Sequence, residues 1–234
     1  AKAGAVEQAL ARRRVLVAEA GTGTGKTLAY LVPALLSGRR VVVSTATKAL
    51  QEQIWLRDLP LLRDRCGMEV SAAYLKGRSN YYCLARGEEF ERHPTFPTRE
   101  EAERWPRIRE WAGTTATGDR AELDFLPDDA ELWQRLDARR DTCTGQKCPD
   151  YECCFVVAAR REAAAAQIVV VNHHLLMADL VLKEEGFGDL LPGVDAIVID
   201  EAHQLPRIAA EFFGRGWSLR QIADLARDAR AQGL

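Results

Sequence analysis

No apolar run in this chain is long enough to cross a bilayer. The longest, such as Ile168-Val169-Val170-Val171 and Val41-Val42-Val43, are strand-sized and far short of the roughly 20 residues a membrane helix needs. No secretory leader opens the sequence, so a cytoplasmic location is expected, with no membrane partner. Internal repeats and low-complexity tracts are missing as well, which leaves an ordinary globular chain. Net charge is small, −2 at pH 7, and argues neither for nor against nucleic acid, because a groove can be basic on a neutral molecule. None of the six cysteines forms the tight C-x2-C knuckle usual for structural zinc. What is there is a 234-residue chain, 47% hydrophobic and 28% charged, large enough for one good core and a second small module.

The most informative stretch is Ala20-Gly21-Thr22-Gly23-Thr24-Gly25-Lys26-Thr27, directly after the apolar Val15-Leu16-Val17-Ala18. A strand, a Gly-rich turn and a helix in that order turn several backbone N–H groups toward a phosphate chain. Lys26 adds positive charge and Thr27 a hydroxyl for Mg²⁺. The strict pattern G-x-x-x-x-G-K-[ST] is missed by one methyl, at Ala20, but Gly25-Lys26-Thr27 is intact. An acidic partner for the metal stands at Asp200-Glu201-Ala202-His203, after the apolar Ala196-Ile197-Val198-Ile199. A buried parallel strand delivers such residues at its C-terminal end, where ligands bind. Asp200 is expected to hold Mg²⁺ through water, Glu201 to polarise the attacking water, and His203 to link the nucleotide site to moving parts. A plain strand followed by a charged turn is the competing reading, and the phosphate loop weighs against it.

Strands are predicted at Val15–Ala18, Val41–Ser44, Val70–Tyr74, Ile168–Val171 and Ile197–Asp200, with helices over Thr27–Leu36 and from Ala49 to about Leu62. This is an α/β pattern, a doubly wound parallel sheet whose right-handed crossovers bring the phosphate loop and Asp200 to one edge. Between Leu75 and Arg161 the alternation stops; prolines at 94, 97, 106 and 127 and short helical pieces such as Ala130–Ala138 indicate an inserted, mostly helical domain. Beyond Pro206, Ser218-Leu219-Arg220-Gln221 reads as a capping box, and Leu219, Ile222, Ala223, Ala226 and Ala229 share a helical face.

Ser44-Thr45-Ala46-Thr47 leaves a buried strand, so its hydroxyls and amides fall at the sheet edge, where a DNA phosphate could rest without its sequence being read. A helix N-cap at Thr45 or Thr47 explains the same residues, and both can hold. Six cysteines, Cys66, Cys83, Cys143, Cys148, Cys153 and Cys154, point to metal rather than disulfides in a reducing compartment. Their loose spacing favours a [4Fe–4S] cluster over zinc, because a cluster is itself several atoms wide. A buried thiol acting as a small hydrophobe accounts for Cys66 alone.

Taken together, Glu19 to Thr27, Ser44-Thr45-Ala46-Thr47 with Leu50-Gln51-Glu52-Gln53, Lys76-Gly77-Arg78-Ser79-Asn80-Tyr81-Tyr82-Cys83, the three-cysteine loop, Val171-Asn172-His173-His174 and Asp200-Glu201-Ala202-His203 resemble the DinG-type bacterial helicases of superfamily 2, with their YoaA branch, relatives of the XPD helicases. The resemblance implies a RecA-like P-loop NTPase domain with an inserted iron–sulfur domain. It divides the chain into residues 1–75 and 162–205, two parts of the first motor domain, 76–161, the iron–sulfur insert, and 206–234, the start of a further helical, arch-like domain. It implies an ATP-dependent DNA helicase, 5′ to 3′, of which this chain is the first motor domain. Without the second motor domain and its arginine finger, the piece is expected to be nearly silent as an ATPase. The family pattern C-x4-C-x5-C followed by an aromatic and paired arginines lands on Cys148, Cys154, Phe155 and Arg160-Arg161. The implied ligands are therefore Cys83, Cys143, Cys148 and Cys154, with Cys153 a bystander. ATP is expected on Gly21, Thr22, Gly23, Thr24, Gly25, Lys26 and Thr27, with Mg²⁺ on Thr27 and Asp200, and single-stranded or forked DNA on Ser44, Thr45, Thr47, Asn172 and His173. The protein is expected to be monomeric. Two other classes use the same motifs: a non-translocating ATPase switch, and a redox-responsive nucleic-acid binding module.

Overall fold

The computed structural model describes residues 2–21, 23–184 and 190–213. Thr22 and the predicted capping-box helix after Ser218 lie outside the described residues. Helix α1 (Lys2–Arg12) precedes the phosphate loop and α2 (Lys26–Leu36) follows it. Strand β1 (Val41–Thr45) then leads into a long helical stretch made of α3 (Lys48–Gln53), a π-turn over Ile54–Asp58, and α4 (Leu59–Cys66). The π-turn has a local cause. Pro60 lacks the N–H that would bond the Leu56 carbonyl, so the helix widens ahead of it and the Leu59 amide reaches back to Ile54.

After β2 (Ala72–Tyr74) come α5 (Leu84–Arg92), α6 (Arg99–Ala112) and the short α7 (Glu131–Leu136). The chain returns through α8 (Phe155–Ala165), β3 (Ile168–Asn172), α9 (His173–Glu184), β4 (Ala196–Ile199) and α10 (Leu205–Phe213). The four strands make one parallel sheet in the order β2-β3-β1-β4. Alternate residues of β1 face opposite sides: Val41 and Val43 join Leu31, Ile54 and Leu62 in one core layer, and Val42 joins Val169, Leu176 and Ile208 in the other. Cover on both faces is why these strands read as unbroken apolar runs.

The predicted strand Val15–Ala18 is not formed. Val15 and Val17 are 94% and 93% exposed, and no described strand pairs with them. β-propensity supplies an extended segment, but a strand needs a ladder partner, and β4 has β1 as its one described neighbour. Helices α5, α6 and α7, with the loops between them, carry a core of their own, with Tyr82, Phe90, Trp105, Ile108, Leu132, Trp133 and Leu136 at its centre. Trp133 Nε1 donates to the Ser79 carbonyl at 2.7 Å, and Lys76 pairs with Asp119, tying this core to the end of β2.

Candidate functional site

The phosphate loop owes its shape to two glycines. Gly23 and Gly25 have φ of 72° and 73°, a left-handed backbone that a Cβ would penalise. Gly25 is also the N-cap of α2, so the first turn of that helix carries neither a side-chain cap nor an acidic residue. Its N–H groups stay open to an anion, with the helix dipole adding to the attraction. Thr24 Oγ1 donates to the Gly21 carbonyl at 2.8 Å and closes the loop on itself.

Opposite stands the acidic turn after β4. Parallel register sets Ser44 beside Ile199, and the Asp200 amide donates to the Ser44 carbonyl at 2.8 Å, which fixes the turn against the end of β1. Lys26 Nζ donates to Glu201 Oε1 at 2.8 Å, and Tyr30 Oη to Asp200 Oδ2 at 3.1 Å. The bond from Lys26 holds the Glu201 carboxyl below the usual range, partial burial opposing it, and the same bond raises Lys26. Burial, reinforced by Asp200, raises the Tyr30 phenol, so it stays a donor. Glu201 itself has φ 53° and ψ 43°, a left-handed conformation costing a non-glycine residue on the order of 1–2 kcal/mol. Exposed His203 stands 3.4 Å from Glu201 Oε2.

Lys26, Asp200, Glu201 and His203 are thus brought together, and Thr27 lies near the Tyr30 hydroxyl. Sequence reasoning missed Tyr30. Its signal was its place four residues after Lys26, one helical turn on, as the sole aromatic of α2.

The residues expected to face nucleic acid divide. Thr47 is exposed and caps α3, accepting from the Leu50 amide at 3.3 Å; Asn172 is half-buried and caps α9 through the Leu175 amide at 2.7 Å. Ser44, Thr45 and His173 are wholly buried. Ser44 Oγ lies 2.7 Å from His173 Nδ1, and Thr45 Oγ1 donates to the Thr47 carbonyl at 3.2 Å. In this conformation their side chains serve the protein, not a ligand. Burial lowers the His173 pKa, although the nearby backbone of Asp200 and Glu201 draws it upward.

All six cysteines are free thiols. Cys83 precedes α5, Cys154 precedes α8, and Cys143 and Cys148 flank a short 3₁₀ turn at Gly145–Lys147. Burial pushes the Cys83 thiol up, with Cys154 and Cys148 adding to the shift. Arg78 Nη2 lies 2.7 Å from Cys143 Sγ. Arg160, half-buried, has its pKa lowered by desolvation and by Arg78, while Cys143 and Cys154 oppose the shift. Cys153 is exposed. Cys66 is exposed too, at the end of α4, so the reading of it as a buried small hydrophobe is wrong; that helix ends on Gly67 with its last turn facing solvent. Among the described residues no group of three or more His, Cys, Asp or Glu is arranged to hold a single metal ion, and no helix is long and apolar enough to cross a membrane.

Comparison with known proteins bears on both sites. Residues 2–85 match the DEAD/DEAH box helicase family. The chain is 46% identical over 224 residues to the ATP-dependent DNA helicase YoaA of Escherichia coli K12, covering 96% of this chain and 35% of that protein. It is 42% identical over 224 residues to YoaA of Haemophilus influenzae, with the same coverage. To the ATP-dependent helicase DinG of Mycobacterium tuberculosis H37Ra it is 38% identical over 230 residues, covering 87% of this chain and 33% of that protein. The chain thus spans about a third of the length of these relatives.

Proposed function

We propose that this chain, a homologue of the YoaA and DinG ATP-dependent DNA helicases, is the ATP-binding motor part of an ATP-dependent DNA helicase that translocates 5′ to 3′ on single-stranded or forked DNA. The observation that carries this reading is the meeting of Lys26 and Tyr30 from the first helix after the loop with Asp200 and Glu201 from the last strand. The loop amides and Lys26 take the triphosphate. Thr27 and Asp200 are the residues that would hold Mg²⁺; Asp200 presents carboxylate oxygens that each accept one hydrogen bond, from Tyr30 and from the Glu201 amide, and keep lone pairs free. Bound there, the ion would offset phosphate charge during transfer. Glu201 leaves Lys26 when nucleotide arrives and orients the attacking water, with His203 beside it. Thr47 and Asn172, at the same sheet edge, are the side chains we assign to the DNA backbone.

We assign Cys83, Cys143, Cys148 and Cys154 as ligands of a [4Fe–4S] cluster. Cys148 and Cys154 lie near enough to Cys83 to raise the cost of its charge, and Cys143, bonded by Arg78, shares Arg160 with Cys154. The loose spacing of the four in the sequence suits a cluster several atoms wide better than a single zinc ion. Residues 140–147 are exposed throughout, and a bound cluster would supply the ties this loop otherwise lacks. The test is DNA-stimulated ATP hydrolysis and strand displacement by the anaerobically purified full-length protein. ATP hydrolysis that DNA does not stimulate, with no strands separated, would sink the proposal.

A further inference from the structure

Among the described residues, four buried side-chain atoms have no hydrogen-bond partner, and one of them, His173 Nε2, adjoins the nucleotide site. His173 opens α9 directly after β3 and is wholly buried. Its Nδ1 is 2.7 Å from Ser44 Oγ, while the ring lies near the backbone of Asp200 and Glu201. These neighbours decide the tautomer. An unprotonated Nε2 facing backbone carbonyls would be repelled, whereas an Nε2–H is attracted; the Ser44 hydroxyl, free to rotate, donates to Nδ1. The ring is therefore a buried N–H donor beside the acidic turn, drawn to the backbone of Asp200 and Glu201 but with no hydrogen bond of normal geometry at Nε2, in a setting where unmade bonds are costly.

The turn it faces is held out of an ordinary conformation. Glu201 is left-handed at φ 53° and its carboxylate is tied to Lys26. Resting on the hydrolysis reading above, we propose that His173 is a positioning residue for ATP hydrolysis. When nucleotide draws Lys26 away, His173 Nε2–H takes a backbone carbonyl of the Asp200–Glu201 turn and holds the Glu201 carboxylate where it orients water. Ser44 sets the ring from one side, and its own carbonyl already anchors the Asp200 amide. β1, α9 and the acidic turn thereby form one hydrogen-bonded unit.

Amide substitutions separate this role from simple packing, because Gln places a donor near the Nε2 position and Asn places its amide near Nδ1. In the full-length protein with saturating single-stranded DNA, His173→Asn is expected to lower kcat about tenfold or more. Its affinity for a non-hydrolysable ATP analogue with Mg²⁺ should stay within about threefold. His173→Gln should recover most of kcat, and Ser44→Ala should lose less than His173→Asn. Turnover by His173→Asn at the wild-type rate, or His173→Gln as slow as His173→Asn, would overturn the proposal and leave His173 as a structural tie to Ser44. Should the Asn variant not fold, the Gln variant decides alone: near wild-type kcat supports the role and a tenfold loss overturns it. Wild-type protein compared with Lys26→Ala checks the hydrolysis reading separately, since that control does not involve His173.

Discussion

Lys26 Nζ and Glu201 Oε1, 175 positions apart in the chain, stand 2.8 Å from each other. The cation that we assign to the phosphates is thus paired with the carboxylate that we assign to the attacking water. Each is only partly exposed, with side chains 27% and 23% accessible. The pair lowers the Glu201 pKa and raises that of Lys26. Its contribution is therefore lost as pH falls through the depressed carboxyl value and as pH rises through the elevated ammonium value, and is level between. Near neutrality protons do not open the contact.

Glu201→Gln should consequently separate binding from turnover. Removing the carboxylate charge frees Lys26, so nucleotide should bind at least as well, up to about fivefold tighter given the modest worth of a partly exposed pair. Hydrolysis should fall by about a hundredfold or more. Fluorescent-nucleotide titration beside single-turnover hydrolysis reads both; weaker binding with unchanged turnover would contradict the assignment.

Tyr30→Phe keeps the ring in the core and deletes the bond to Asp200 Oδ2. We expect a stability loss of about 1 kcal/mol, since the carboxylate retains the Glu201 amide. The Mg²⁺ concentration for half-maximal ATP hydrolysis should shift several-fold, because Asp200 loses the partner that orients it. An unchanged Mg²⁺ requirement would leave Tyr30 a packing residue.

Gly118 tests the joint between the helical insert and the cysteine loop. It has φ 62°, and a methyl there would run into the Phe155 ring, which follows Cys154. Gly118→Ala should destabilise this region by about 1–3 kcal/mol. Limited proteolysis should cut between residues 76 and 154 earlier than in wild type; equal cleavage rates would show that the ring yields.

The legible parts of the molecule were those where chemistry and burial agree. Val41–Val43 and Ile168–Val171 are β-branched runs that become strands buried on both faces, and Gly23 and Gly25 take the backbone their residue type permits. Val15–Ala18 is as apolar as those runs, yet lies exposed, because propensity does not supply a ladder partner. Ser44 and His173 read as edge residues open to DNA; which side of a strand end faces inward depends on register with distant strands, and β1, β3 and β4 together close over them. Tyr30, which the sequence reading did not single out, is a core residue whose hydroxyl reaches the acidic turn.

Adjacent cysteines provide an internal control for the cluster assignment. Cys154, like Cys83, packs against the buried cluster of Tyr81, Ala138 and Val156, whereas Cys153 is exposed. In anaerobically purified full-length protein, Cys154→Ser should lose iron, acid-labile sulfide and visible absorption. Cys153→Ser and Cys66→Ser should keep all three. The reverse pattern would shift the ligand register by one residue; one equivalent of zinc in place of iron would end the cluster assignment.

The most direct measurement is strand displacement on a forked duplex by full-length Lys26→Ala protein beside wild type, with single-strand affinity measured in parallel. The account predicts that wild type unwinds with ATP, and that Lys26→Ala binds single strands within about threefold of wild type but separates none. Unwinding by Lys26→Ala at the wild-type rate would contradict the claim that the loop ending in Lys26, joined to Glu201 across the sheet edge, drives the motor.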